Sequence, residues 1–202
     1  MVLIILAAVL WLKDHKRDLV AVIAGEEQAA ASDGRYERFE GCRLVDDRRN
    51  DGDSFKVKLP DGRVEELRLY FVDAPESAFK SYGGGRNNHD RINDQARDLG
   101  VSPERAVEIG VAAKNYVHER LGGESFTIFT EWDDPFEDRR YHAFVETSDG
   151  GWLHEQLVRE GLVRIHTKGG DVPGGLRRSG QQQRLEEIES EARGSGRGVW
   201  GD

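Results

Sequence analysis

With 202 residues, 33% charged and 37% hydrophobic, the chain has material for one core of about 165 residues plus an N-terminal appendage, and its composition is that of an ordinary globular protein. A net charge of −9 argues against tight coating of nucleic acid, because sequence-independent affinity comes mostly from Lys and Arg neutralising phosphates; weak, transient and cation-dependent contact fits it better. The single cysteine, Cys42, excludes an intrachain disulfide and is expected to pack as a small apolar residue on the first strand.

Val2 to Leu12 is an unbroken run of eleven apolar residues, followed by the charged stretch Lys13 to Arg17 and a second apolar patch from Leu19 to Ala24. As a helix the first run would span roughly 16 Å, about half of a bilayer core. Its length suits the apolar part of a signal peptide, but the positive charges follow the run instead of preceding it. The expectation is a shallow membrane anchor through residues 2–12 with its basic flank in the cytoplasm, or a signal whose true start lies upstream. The chain would then be membrane-associated or exported, and cytoplasmic if the segment is no signal. Residues 1–34 comprise this segment and a linker, Glu26 to Gly34, and residues 35–202 the folded domain.

Tyr36 to Arg48 reads as the first strand. Phe55, Val57 and Leu59 then alternate with Lys56 and Lys58, the period-two pattern of a strand with one buried face, and Pro60-Asp61-Gly62 supplies a turn. Val64 to Val72 is rich in β-branched, aromatic and aliphatic residues and stops at Asp73-Ala74-Pro75, where proline cannot extend a ladder. In an antiparallel hairpin of these two strands, Asp53 and Asp73 fall at the same end. Arg68 stands five residues before Asp73, and an odd spacing puts the two on opposite faces unless the strand bends or bulges near its end.

Farther on, Ser81 to Gly100 reads as a loop with a short helix. Ser102-Pro103-Glu104 opens a helix that Gly122-Gly123 stops, with Val107, Ile109, Ala112, Ala113, Tyr116, Val117 and Leu121 along its apolar side. Ser125 to Glu131 and Tyr141 to Thr147 are strands, Leu153 to Glu160 a helix, and Gln181 to Arg193 a polar, acidic helix read as solvated. The six histidines show no i, i+4 pair and no cysteine partner, so the spacing of a zinc site is absent; His142 is read as a packing residue.

The chemistry lies in Asp51-Gly52-Asp53 and in Arg68 through Glu76. Four carboxylates and an arginine at one end of a hairpin suit one hard cation and one phosphate. A phosphodiester is anionic and repels hydroxide, so its hydrolysis needs charge neutralised and a water held in line. A hard cation takes oxygen ligands, which suits carboxylates and waters. Planar guanidinium forks match the equatorial phosphate oxygens, which lysine meets only as a point charge.

These residues resemble the staphylococcal nuclease (thermonuclease) family. The likeness rests on Asp51-Gly-Asp-Ser-Phe, on Arg68-Leu-Tyr-Phe-Val-Asp-Ala-Pro-Glu76, and on Arg139-Arg140-Tyr-His-Ala-Phe-Val. It continues in Leu157-Val-Arg-Glu-Gly-Leu162 and a closing Gly198-Val-Trp200, so that it covers about residues 36 to 201. The resemblance implies an α+β fold, a five-stranded OB-type barrel with about three helices and the site on one side. It further implies that Asp53, Asp73 and the Ala74 carbonyl bind Ca²⁺, that Asp51 orients these ligands from behind, and that Glu76 orients or deprotonates the attacking water. Arg68 and Arg140 would clamp the phosphate. The implied activity is Ca²⁺-dependent endo- or exonucleolytic cleavage of DNA and RNA by a monomer, with little sequence preference and 3′-phosphate ends. The alternative is a nuclease-like module that binds nucleic acid or protein without cutting. Such modules typically lose catalytic residues, whereas here Asp53, Arg68, Asp73, Glu76 and Arg140 are all present.

Two departures stand out. Where the family's best-known member has tyrosines that pack on the nucleotide, this chain has Ile165-His166-Thr167-Lys168. The segment from Ser81 to Gly100 is longer than the family's usual link, and within it Tyr82, Arg86, His89 and Arg91 are candidates to reach the substrate strand, with Tyr82, Arg86 and Arg91 the expected substrate-binding residues.

Overall fold

The structure, a computed structural model, describes residues 34–135 and 137–201. The apolar N-terminal run and its expected membrane anchoring lie outside the described residues, as does nearly all of the linker. In chain order the strands are β1 (Glu37–Leu44), β2 (Ser54–Lys58), β3 (Val64–Leu69), β4 (Val72–Asp73), β5 (Phe126–Thr130), β6 (Arg140–Glu146) and β7 (Arg164–Ile165). The helices are α1 (His89–Leu99), α2 (Pro103–Leu121), α3 (Leu153–Arg159) and α4 (Arg178–Gly194).

Five strands close into a barrel in the order β1-β2-β3-β6-β5. Every pairing is antiparallel except β3 with β6. The alternation expected for β2 holds, with Phe55, Val57 and Leu59 all buried, and Cys42 packs into the same core. Ser102 caps α2 through its hydroxyl, which accepts from the Arg105 amide at 3.2 Å, and Pro103 takes the first helical position, where a missing N–H costs nothing. Among the described residues no helix is long and apolar enough to cross a membrane.

Three expectations are corrected. The domain carries four helices, not about three: α1 is a full helix of eleven residues in the segment read as loop and short helix. Its apolar side is only Ile92, Ala96 and Leu99, a stripe narrow enough to vanish in a polar stretch. The polar helix read as solvated buries Leu185, Ile188 and Ala192. The strand expected to run from Val64 to Val72 ends at Leu69: Phe71 adopts a left-handed φ of 70°, and the chain resumes as β4, which pairs with β7 in a separate two-stranded sheet. That kink is held on both sides, the Phe71 amide donating to Lys168 O at 2.9 Å and its carbonyl accepting from the His166 amide at 2.7 Å.

Candidate active site

The kink at Phe71 resolves the parity conflict between Arg68 and Asp73. Breaking the strand between them turns Asp73 to the side on which Arg68 stands, the bend that the odd spacing requires. On the neighbouring strand Ser54 pairs with Arg68, and the Leu69 amide donates to Asp53 O at 2.8 Å, so Asp53 arrives beside both. Arg68 Nη2 donates to Asp53 Oδ2 at 3.1 Å and to Asp73 Oδ1 at 2.9 Å. All three residues are buried.

Asp73 is the hub. Oδ1 also accepts from Arg91 Nη2 at 2.9 Å, and Oδ2 accepts from Gln95 Nε2 and Arg164 Nε, each at 2.9 Å. Burial alone would raise this carboxyl, but Arg91, Gln95, Arg164 and Arg68 together hold it below the ordinary range. Asp53 shifts the other way: burial dominates, and the Asp73 charge adds to it against the pull of Arg68. Of the pair, Asp73 keeps its charge and Asp53 is the proton-prone partner. Asp51 is pushed up to about 6 by burial first and by the Asp53 charge second. Its Oδ1 accepts from the Gly52 amide at 3.1 Å.

The Asp73-Ala74-Pro75-Glu76 turn is gripped from two helices. Gln95 of α1, wholly buried, donates to Ala74 O at 3.0 Å and accepts from the Glu76 amide at 3.0 Å. On the other side Gly110 of α2 lets the helix lie against the turn, since a Cβ there would sit 2.5 Å from the carbonyl oxygens of both Pro75 and Glu76. Gly52 makes a matching close approach, where a Cβ would meet Ala113 Cβ at 2.5 Å and Ala74 Cβ at 2.8 Å. The Glu76 carboxylate accepts from Arg91 Nε at 2.9 Å, Asn88 Nδ2 at 3.1 Å and Lys80 Nζ at 3.4 Å.

Arg140 opens β6, and its Nε donates to Asp138 Oδ2 at 2.9 Å. Arg139 lies outside the strand with a left-handed φ of 62°, so simple alternation between Arg139 and Arg140 does not apply. A cleft of about 390 Å³ is lined by Arg68, Asp73, Arg91, Asp138, Arg140, His166 and Thr167. It brings together Arg68, Asp73, Arg91 and Arg140 as the sequence suggests. Tyr82 and Arg86 are exposed, sit on either side of the 3-10 turn Gly83–Gly85, and are not among the lining residues. The sequence reading missed Gln95, Asp98, Asp138 and Arg164. The spacing of Arg91, Gln95 and Asp98, at i, i+4 and i+7 on one helix face, is the signal that would have found two of them.

Among the described residues no group of three or more Asp, Glu, His or Cys side chains stands in cation-holding geometry, and Arg68 Nη2 bonds to both Asp53 and Asp73. The donor chemistry nevertheless suits a hard cation: the carboxylates and the Ala74 carbonyl are oxygen donors. The buried Arg68 Nε has no hydrogen-bond partner among the described residues.

The staphylococcal nuclease homologue family matches residues 66–202. The chain belongs to that family. The staphylococcal nuclease match takes in Arg68, Asp73, Ala74, Glu76 and Arg140, whereas Asp51 and Asp53 precede it and are tied to the site by the hairpin geometry alone. Among curated proteins, Staphylococcal nuclease domain-containing protein 1 of Drosophila melanogaster is 34% identical over 92 residues, which are 44% of this chain and 9% of that protein. The chain therefore spans only a small part of that relative's length.

Proposed function

We propose that the protein is a Ca²⁺-dependent phosphodiesterase that cleaves DNA and RNA with little sequence preference and leaves 3′-phosphate ends. The observation that carries this reading is Arg68: it is buried, tied through Nη2 to two carboxylates, lacks a partner for Nε, and lines one cleft with Arg91 and Arg140. A phosphate oxygen in that cleft is a natural acceptor for the guanidinium groups that line it.

Asp53, Asp73 and the Ala74 carbonyl would hold Ca²⁺, with Asp51 supporting them. When bound, the cation supplies charge neutralisation at the phosphate and a site for an ordered water. Arg68 and Arg140 hold the non-bridging oxygens and stabilise their growing charge in the transition state. Glu76 orients the attacking water or accepts its proton; both roles need the carboxylate that Arg91, Asn88 and Lys80 hold in place. Water oxygen bonds to phosphorus, the P–O5′ bond breaks, and the leaving oxygen takes a proton.

One observation favours a second reading, a binding module that does not cut: both oxygens of Asp73 already accept from guanidinium or amide donors of the chain itself. Incubation of plasmid and RNA with Ca²⁺, with Mg²⁺ and with chelator separates the two. The enzyme reading expects degradation with Ca²⁺, little with Mg²⁺, which demands stricter octahedral geometry, and none with chelator. Retention of substrate with no cleavage in Ca²⁺ overturns it in favour of binding.

A further inference from the structure

We infer that the polar stripe Arg91, Gln95 and Asp98 of α1 is a clamp that positions Asp73 and Glu76 for catalysis, with Gln95 its central positioning residue. The kinetic part rests on the phosphodiesterase reading; the structural part does not.

The three residues occupy one face of α1, and each engages the same four-residue turn or its partner. Gln95 makes three bonds to three groups of the turn: its amide nitrogen donates to Asp73 Oδ2 and to Ala74 O, and its amide oxygen accepts from the Glu76 backbone N–H. No other side chain of this size supplies that pattern, since glutamate has no donor, leucine has neither group, and asparagine is one methylene short. One turn earlier, Arg91 spans the two carboxylates, Nε to Glu76 Oε1 and Nη2 to Asp73 Oδ1, each at 2.9 Å. One turn later, Asp98 pairs with Arg164 Nη1, and Arg164 Nε reaches Asp73 Oδ2.

Docking of α1 would need only its apolar stripe, Ile92, Ala96 and Leu99. The polar stripe does something further. It fixes both oxygens of Asp73, the carbonyl of Ala74 and the amide of Glu76 relative to one rigid helix, and holding reacting groups within a fraction of an ångström is where such supports act on rate. Arg91, which the sequence suggests as a substrate ligand, is by this geometry committed to the two carboxylates.

The test uses the full chain. Gln95→Leu keeps the volume and removes all three bonds; Gln181→Leu, a buried glutamine of α4 outside the site, serves as the control compared at equal loss of melting temperature. Amide exchange at Glu76 is expected to quicken by about tenfold or more in Gln95→Leu, with kcat on a single-stranded oligonucleotide falling about tenfold or more and KM staying within about threefold. Arg91→Gln, at a half-exposed position and compared in the same way at equal loss of melting temperature, is expected to lower kcat with the same small effect on KM. Wild-type exchange at Glu76 in Gln95→Leu overturns the clamp, as does a kcat loss no larger than that of Gln181→Leu. A change confined to KM in Arg91→Gln makes that residue a substrate ligand and overturns its place in the clamp. Should the wild-type chain cut no diester at all, the proposed activity falls, while the exchange measurement still decides the clamp.

Discussion

Arg68 Nη2 lies 2.9 Å from Asp73 Oδ1, although five residues of extended chain would send the two side chains to opposite faces of a strand. The left-handed Phe71 between them makes the contact possible.

Replacing Asp73 by Asn is expected to do more than remove a cation ligand. The carboxylate faces Arg68, Arg91 and Arg164 with only 1% of its side chain exposed, and an amide would present donors to donors. Asp73→Asn should abolish most cleavage, weaken Ca²⁺ binding in calorimetry and cost about 3 kcal/mol of stability in a urea melt, the scale for breaking a buried ionic cluster. Wild-type stability in that melt would show that the three arginines do not depend on this charge.

Arg140 and Arg139 are neighbours with different expectations. If Arg140 meets the phosphate as charge develops, Arg140→Ala should lower kcat by about 10² with a modest change in KM. Arg139 holds a left-handed φ of 62°, so Arg139→Gly should leave kcat within a few-fold and be neutral or stabilising by up to about 1 kcal/mol. Steady-state kinetics and thermal melts on the two variants check both; an Arg139 variant more damaging than the Arg140 one sinks the assignment.

Gly110→Ala should separate activity from folding in the opposite sense to a surface change. The added Cβ would press on the carbonyls of Pro75 and Glu76, so the turn must shift or α2 must lift. Loss of about 1–3 kcal/mol is the usual scale for overpacking, and kcat should fall because the displaced turn carries Glu76. Unchanged kcat in Gly110→Ala would mean that the position of this turn is not limiting.

Two groups pull stability in opposite directions with pH. His154, fully buried with its ring against Phe71 and Gln181, is pushed down to about 4, mostly by burial. Its unfolded form binds the proton more readily, so its contribution is complete above about pH 6.5 and is lost as pH falls toward 4, by at most about 3 kcal/mol. Asp51, pushed up to about 6, acts the other way, penalising the folded state as pH rises from about 4 to 6. Asp53, raised as well, acts in the same sense as Asp51. Relative to the wild type over pH 4–6, His154→Leu should tilt the profile toward a fall with rising pH, and Asp51→Asn toward a rise. Denaturant melts across that range test this, and parallel profiles for all three chains would refute it.

What was legible in the sequence was local or periodic. The β2 face, the capped start of α2 and the grouping of Asp53 with Asp73 follow from alternation and from short hairpin distances. The reach of Arg68 was visible only as a conflict of parity, because the residue that relieves it, Phe71, has no glycine or proline to advertise a left-handed turn. Gln95, Asp98 and Arg164 escaped because each acts across the fold: Gln95 meets the turn only once α1 has docked, and Arg164 only once β7 has paired with β4. Arg139 is likewise a non-glycine residue in a left-handed conformation, so its side cannot be counted from Arg140.

The pairing of β4 with β7 also orders events while the protein is being made. Asp73 waits for Arg164, which follows it by 91 residues, a lag of roughly 5–20 s at ordinary rates of translation. A half-finished chain on the ribosome thus presents the acidic hairpin without Arg140 or Arg164. The complete site, and with it the proposed activity, is assembled late, when little of the messenger that encodes the domain is left to be read.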